Sequence, residues 1–184
     1  PPLGYKRSNG GQRFNRGTDE DPRALSAQIK AASTIGKLPS THRAHESRLD
    51  DIHLSACWTS LARQARQRLP ERRWFKSKAE ALEPLVQHTI RAAMKGHFGA
   101  RGLANVVYGA AGVWKSVGVG KSAGFQKSLS ELYAVISKEA ERRLDQFNAQ
   151  GLANTAWALA TVGQNCLLYT SPSPRDATRA RMPS

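Results

Sequence analysis

Seven cations fall between positions 63 and 78: Arg63, Arg66, Arg68, Arg72, Arg73, Lys76 and Lys78, against the single acid Glu71. Trp74 and Phe75 are interleaved with them. Clustered cations neutralise phosphates, and aromatic rings stack on unpaired bases. The charge excess of this segment is therefore read as a phosphate track. Trp74 and Phe75 are read as core residues of an inter-helix connector. Other candidate chemistry is thinner. His42, His45, His53, His88 and His97 show no His-Glu-x-x-His or paired ligand spacing, so no metal site is expected. Gly118-Val119-Gly120-Lys121-Ser122 has the flavour of a phosphate loop, but Lys115 stands where the first glycine belongs and no strand precedes it. It is read as a flexible loop. Cys57 lacks a nucleophile's signature and reads as a small buried hydrophobe. No paired carboxylates and no Ser/His/Asp set stand out, so no catalysis, cofactor or small-molecule substrate is expected.

The whole chain carries the same bias. Its 184 residues include 28 Lys and Arg against 14 Asp and Glu, a net charge of +14 that favours a polyanionic partner. No apolar run approaches the length of a membrane span. Cys57 and Cys166 make neither a disulfide framework nor a metal cluster.

The elements that must hold these side chains are repetitive. Phe98-Gly99-Ala100-Arg101-Gly102-Leu103-Ala104-Asn105 lines up with Phe147-Asn148-Ala149-Gln150-Gly151-Leu152-Ala153-Asn154, and Leu49-Asp50 with Leu54 forms a weaker third copy. Asp50, Gly99 and Asn148 are acceptable helix N-caps. The pairs Leu49 with Leu54, Phe98 with Leu103 and Phe147 with Leu152 have the spacing of a hydrophobic staple. First helices are thus expected to start near 50, 99 and 148. Leu103, Val107 and Ala110, and Leu152, Ala156 and Leu159, would face inward, with Gly112 and Gly163 as stops. Second helices are expected over 78–95 (Leu82, Leu85, Val86, Ile90 and Met94 inward) and 127–144 (Leu132, Val135, Ile136, Ala140 and Leu144 inward). A further helix is expected over 22–37 on Leu25, Ile29, Ala32 and Ile35. Residues 37–43, with Pro39, read as a connector, and residues 115–125 as a loop. Tyr108 and Trp157, at equivalent positions, read as helix-packing anchors. The fold class is all-α, an α-solenoid of stacked helix–turn–helix repeats, since a lone helix pair cannot bury both faces.

The run Gln150-Gly151-Leu152-Ala153-Asn154-Thr155-Ala156-Trp157-Ala158-Leu159-Ala160 resembles the octotricopeptide and heptatricopeptide repeat proteins, organellar α-solenoids that often end in a RAP domain. Arg48-Leu49-Asp50-Asp51-Ile52-His53-Leu54-Ser55-Ala56 looks like another such unit. The pattern is also similar to helical-repeat subunits of the mitochondrial RNA-editing substrate-binding complex. The unit here is longer than the family's, and no RAP domain is present. The resemblance implies a right-handed superhelix that binds single-stranded RNA in a mitochondrion or plastid, for RNA processing, editing, stability or translation. Other organellar RNA-processing proteins are implied as further partners. The alternative is a protein–protein interaction scaffold in an organellar complex.

If each repeat reads a base, equivalent positions on successive first helices do so. Arg101 opposite Gln150, and Val106 opposite Thr155, differ between copies and are the candidates for base discrimination. Asn105 and Asn154 are identical, which favours a structural hydrogen bond over base contact. The RNA-binding set is therefore Arg63, Arg66, Arg68, Arg72, Arg73, Lys76, Lys78, Arg101, Asn105, Gln150 and Asn154.

The organisation expected is a disordered basic leader over 1–21, a helical array over 22–165 and an artefactual tail over 166–184. Cys166-Leu167-Leu168-Tyr169-Thr170-Ser171-Pro172-Ser173-Pro174-Arg175-Asp176 resembles the translated adapter of a transposase-based sequencing library. The chain reads as an internal fragment whose native part ends near Gln164 or Asn165. Its last helix should then expose an apolar face, having no following neighbour.

Overall fold

A computed structural model describes residues 22–67, 69–117 and 123–170. The expected leader, the Gly118–Ser122 loop and most of the adapter-like tail lie outside the described residues. Among the described residues the fold is all-α and has no strand. Its helices are α1 (Pro22–Ala31), α2 (Lys37–His45), α3 (Asp51–Gln67), α4 (Leu69–Lys78), α5 (Glu83–Met94), α6 (Ala100–Val117), α7 (Ala123–Glu141) and α8 (Ala149–Thr170). Short 3-10 turns at Glu46–Arg48, Ala79–Leu82 and Leu144–Gln146 join some of them. None of the described helices is long and apolar enough to cross a membrane.

Helices α3, α6 and α8 begin at Asp51, Ala100 and Ala149, 49 residues apart in each case. The caps explain the register. Asp50 Oδ1 accepts from the His53 N–H at 2.9 Å and Asn148 Oδ1 from the Gly151 N–H at 2.8 Å. The carbonyls of Asp50, Gly99 and Asn148 accept from Leu54, Leu103 and Leu152, closing the first turn of each helix. The staple is altered in the two aromatic copies. The rings of Phe98 and Phe147 lie against Gly102 and Gly151, where a β-carbon would come within 3.1 and 3.2 Å of them. Leu54 and Leu103 are buried, but Leu152 is 42% exposed.

Neighbours succeed one another along two rows. α1 packs on α3, α3 on α6 and α6 on α8, while α2 packs on α5 and α5 on α7. The contacts of α6 with α7 and of α3 with α5 tie the rows together. The core between them is formed by Leu54, Trp58 and Leu61 of α3, Leu85, Val86 and Ile90 of α5, Leu103, Val107 and Ala110 of α6, and Leu129, Leu132 and Ile136 of α7.

Several expectations need correction. The segment expected as one helix over 22–37 breaks after Ala31, and the expected connector after it is helix α2. Pro39 lies in the first turn of α2, where a missing N–H removes no helical bond, and Leu38 and Ile35 are fully buried. The basic segment is also helical, as the end of α3 and all of α4, rather than a connector. Phe75 is buried as expected and Trp74 packs at the core's edge. Met94 and Leu144 face solvent: α5 ends at Met94, and Leu144 lies in a 3-10 turn beyond α7. Gly112 and Gly163 stop nothing, since α6 and α8 run on to Val117 and Thr170. Leu152, Ala156 and Leu159 of α8 are exposed rather than inward. The α6 positions equivalent to them are covered by α7, and among the described residues α8 has no such partner. Their exposure, with that of Trp157, matches the open apolar face expected of the last helix.

The one positive φ among the described residues is Gly96, at +70°. Its N–H donates to the Ala93 carbonyl and the His97 N–H to the Ala92 carbonyl, the paired bonds of a Schellman stop. Arg143, from the far end of α7, donates to the carbonyls of Phe98 (2.7 Å) and Gly96 (3.2 Å) and holds this turn.

Helices α3 and α6 approach closely at Gly109. A β-carbon at Gly109 would lie 2.5 Å from the Trp58 carbonyl oxygen and 2.7 Å from its β-carbon. Backbone therefore rests on backbone there. The Trp58 indole is fully buried and donates to Thr89 Oγ1 of α5 at 3.0 Å. Thr89 in turn donates to the Leu85 carbonyl, so the buried polar atoms are paired.

Gly109→Ala must push α3 from α6, and we expect it to cost about 2 to 3 kcal/mol, the upper part of the overpacking range. Gly163→Ala meets open space and should be neutral or stabilise by up to about 1 kcal/mol through helix propensity. Urea unfolding midpoints of the two variants check both signs.

Candidate nucleic-acid interface

The approach of α3 and α6 decides which cations meet. Along α6, Arg101, Asn105, Tyr108, Gly112 and Lys115 recur every three or four residues and so share one face. Ile52, Thr59 and Arg66, seven residues apart, share the corresponding face of α3, and Gln150, Asn154 and Trp157 that of α8. Two clefts open along this face.

The first encloses about 490 Å³ and is lined by Ala65 and Arg66 of α3, Arg73 and Lys76 of α4, Gly112, Lys115 and Ser116 of α6, and Trp157 of α8. Four cations converge in it, and no carboxylate is among its described lining residues. Its wall is aromatic. The Tyr108 and Trp157 rings lie 5.0 Å apart with a tilt of 46°. The Arg66 guanidinium sits 4.8 Å from the Tyr108 ring centre and 5.3 Å from that of Trp157, close enough for cation–π attraction to both. Arg66 also donates to the Tyr108 hydroxyl. The two rings thus pack α6 on α8, as expected of anchors, while Trp157 keeps 39% of its surface exposed.

The second cleft, of about 470 Å³, lies toward the helix starts. Its lining includes Lys30, Asp51, Ser55, Thr59, Arg101 and Asn105. One acid, Asp51, faces two cations there.

The expected RNA-binding residues are divided by these clefts. Arg66, Arg73 and Lys76 meet in the first, and Arg101 and Asn105 line the second. Gln150 donates to Asn154 Oδ1 at 2.9 Å within α8, so the bond made by Asn154 is local to its own helix. Arg63 is engaged structurally: it donates to the Lys30 carbonyl at 2.6 Å and caps the end of α1. Lys78 is exposed at the end of α4 and lines neither cleft. Arg68 and the side chain of Arg72 lie outside the described residues. Val106 and Thr155 do not suit base discrimination, because both are buried. They sit one position off the open face and turn toward the neighbouring helix.

Two contributors escaped the sequence reading. Lys115 opens the Gly-, Ser- and Val-rich stretch expected as a loop, yet it lies on α6; continuing the α6 period by seven residues from Tyr108 reaches it. Lys30 closes the second cleft from α1, and nothing local in the sequence marks it.

A third group of polar residues gathers away from this face. His42 of α2 and His88 of α5 come together with Nε2···Nδ1 at 3.1 Å. Their rings meet edge to face at 5.3 Å. Spacing along the chain gave no hint of this pair, because its members lie on separate helices. Burial, first, holds His42 below the ordinary histidine value; His88, Arg91 and Arg43 add to this and Glu46 opposes it. Burial likewise lowers His88, with Arg91 and Lys95 adding and Glu46 opposing. The buried Cys57 thiol is pushed up to about 12 by burial and stays protonated, as a small hydrophobe should.

Comparisons with known proteins found no matching family model, no matching curated protein and no matching solved structure.

The histidine pair sets a pH dependence. Unfolded histidines take up protons near pH 6.5, whereas the folded pair resists until lower pH. The unfolded chain therefore binds more protons just below 6.5, and stability falls as pH drops through that value. Urea midpoints measured at pH 7.5, 6.5 and 5.5 should decline in that order, and less steeply in His88→Asn. An unchanged midpoint would contradict the burial of the pair.

Proposed function

We propose that the face shared by α3, α6 and α8 binds single-stranded RNA without catalysis. One observation carries the reading: Arg66, Arg73, Lys76 and Lys115 converge on Trp157 in a cleft that has no acid among its described lining residues. Cations placed so would hold phosphates, and the open surface of Trp157 would take a base by stacking. Arg101 and Asn105 in the neighbouring cleft, with Gln150 and Asn154 on α8, would meet nucleotides further along.

The helix starts at Asp51, Ala100 and Ala149 and the two rows of helices support the finer reading of the fold as an α-solenoid of helix–turn–helix repeats. The likeness of the 150–160 segment to octotricopeptide-type repeats supports organellar RNA, in a mitochondrion or plastid, as the ligand. A second reading has its own observation. The exposed Leu152, Trp157 and Leu159 of α8 would suit a protein partner, and an interaction scaffold is the alternative function.

Fluorescence anisotropy of the full chain with labelled single-stranded RNA of random sequence separates the two. If four phosphates are held in the cleft, the slope of log affinity against log salt is about −3, at about 0.7 per phosphate on a single strand. Changing Arg66, Arg73 and Lys115 together to Glu should abolish binding while leaving the circular dichroism spectrum helical. Trp157→Ala should weaken it by about 1 to 3 kcal/mol, the worth of one stacked base. Binding that ignores salt, or survives the charge reversal, would overturn the RNA reading and favour the scaffold.

A further inference from the structure

The histidine pair has a third neighbour. Glu46 follows His42 by four residues, so α2 and the 3-10 turn after it carry both on one side. His88 reaches them from the middle of α5. One ligand atom from each of His42, Glu46 and His88 lies within 4.8 Å of the other two. His42 is buried, His88 is half-buried and Glu46 is exposed. The group is thus anchored on its protein side and open toward solvent.

We propose that His42, His88 and Glu46 form a binding site for a zinc-class divalent ion, with two imidazoles, one carboxylate and a fourth position left to water. The geometry favours it. Tetrahedral zinc with Zn–N bonds of about 2.0 to 2.1 Å sets its ligand nitrogens about 3.3 Å apart. The facing nitrogens of His42 and His88 stand 3.1 Å apart. Without an ion one ring must donate its proton to the other. With an ion both facing nitrogens offer lone pairs to the metal, and each ring carries its proton on its outer nitrogen, His42 Nδ1 and His88 Nε2, which requires one ring to change tautomer. Two imidazoles with a carboxylate suit zinc, nickel or copper better than magnesium or calcium, which prefer oxygen.

The surroundings set the affinity. Both imidazoles are kept neutral by burial, which ligation requires. Against the ion stand Arg43, Arg91 and Lys95. Arg91 donates to Glu46 Oε1 at 3.2 Å, and both side chains are about half exposed. Metal binding takes the carboxylate from Arg91, whose guanidinium can turn into water. Glu46 closes on the ion by rotating its exposed side chain. The consequence is mechanical: the ion pins α2 to α5, two elements joined here mainly by the histidine contact and by apolar packing. The site is remote from the clefts of α3, α6 and α8 and does not depend on RNA being the ligand.

Cobalt(II) added to the full chain after removal of metal by chelator tests the proposal, because four-coordinate cobalt has intense visible d–d bands. We expect a band that saturates at one equivalent, is displaced by zinc, and accompanies a rise in the melting temperature. His45→Asn should leave it intact. Glu46→Gln, at an exposed position, should weaken cobalt affinity at least tenfold, and His88→Asn should abolish the band with helicity retained by circular dichroism. If His88→Asn fails to fold, Glu46→Gln decides alone. No saturable band in the wild type, or a band unchanged in Glu46→Gln, would overturn the site and leave His42 and His88 as a hydrogen-bonded pair.

Discussion

The contact of Trp58 with Gly109 governs the rest of the molecule. At this crossing the backbones of α3 and α6 touch, because one partner has no side chain. The same tryptophan reaches across to Thr89 of α5, so one residue joins three helices and both rows. A large apolar side chain buried completely, with its single polar atom satisfied, supplies area and direction together. Close approach then fixes the spacing of everything that α3 and α6 carry. Arg66 can lie over Tyr108 only because the two helix axes are this near. Trp157 joins them because α8 packs against α6.

The basic cleft follows from that packing and from the charges it excludes. Like charges repel, and four cations around one small space are costly unless something offsets them. Two aromatic faces attract the Arg66 guanidinium, and water reaches the rest. An anion would complete the arrangement. The second cleft is more balanced, since Asp51 faces Lys30 and Arg101. The histidine pair, by contrast, is a site of buried lone pairs. It lies between α2 and α5, where cations gather around it and one carboxylate opposes them.

How far the sequence could be read differed with the range of the interaction. The helix starts at Asp51, Ala100 and Ala149 were legible, because a cap involves residues only a few positions apart. So were the inward faces of α5, α6 and α7, with end residues such as Met94 and Leu144 excepted. Pro39 misled because its position in a helix matters more than its presence. Gly112 misled in the same way: it looked like a stop, but it lets Ala62 of α3 approach to within 2.9 Å of its vacant β-position. Val106 and Thr155 were candidates for base discrimination, although the three-and-four spacing from Arg101 and Gln150 passes through Asn105 and Asn154 instead.

By itself the sequence determined the all-α class, the 49-residue register of α3, α6 and α8, and the supply of cations available to a polyanion. Each of these depends on composition or on bonds within a turn or two of helix, and such bonds form whatever lies on the far side. Tertiary structure alone decided which cations face Trp157, that Arg63 would cap α1 instead of joining them, and that His42 would meet His88 and Glu46. Those outcomes join residues far apart in the chain: Lys30 and Arg63 by 33 positions, His42 and His88 by 46, and Arg66 and Trp157 by 91. They depend on how closely two helices approach, and that distance is set by the size of the side chains between them, glycine at the closest point.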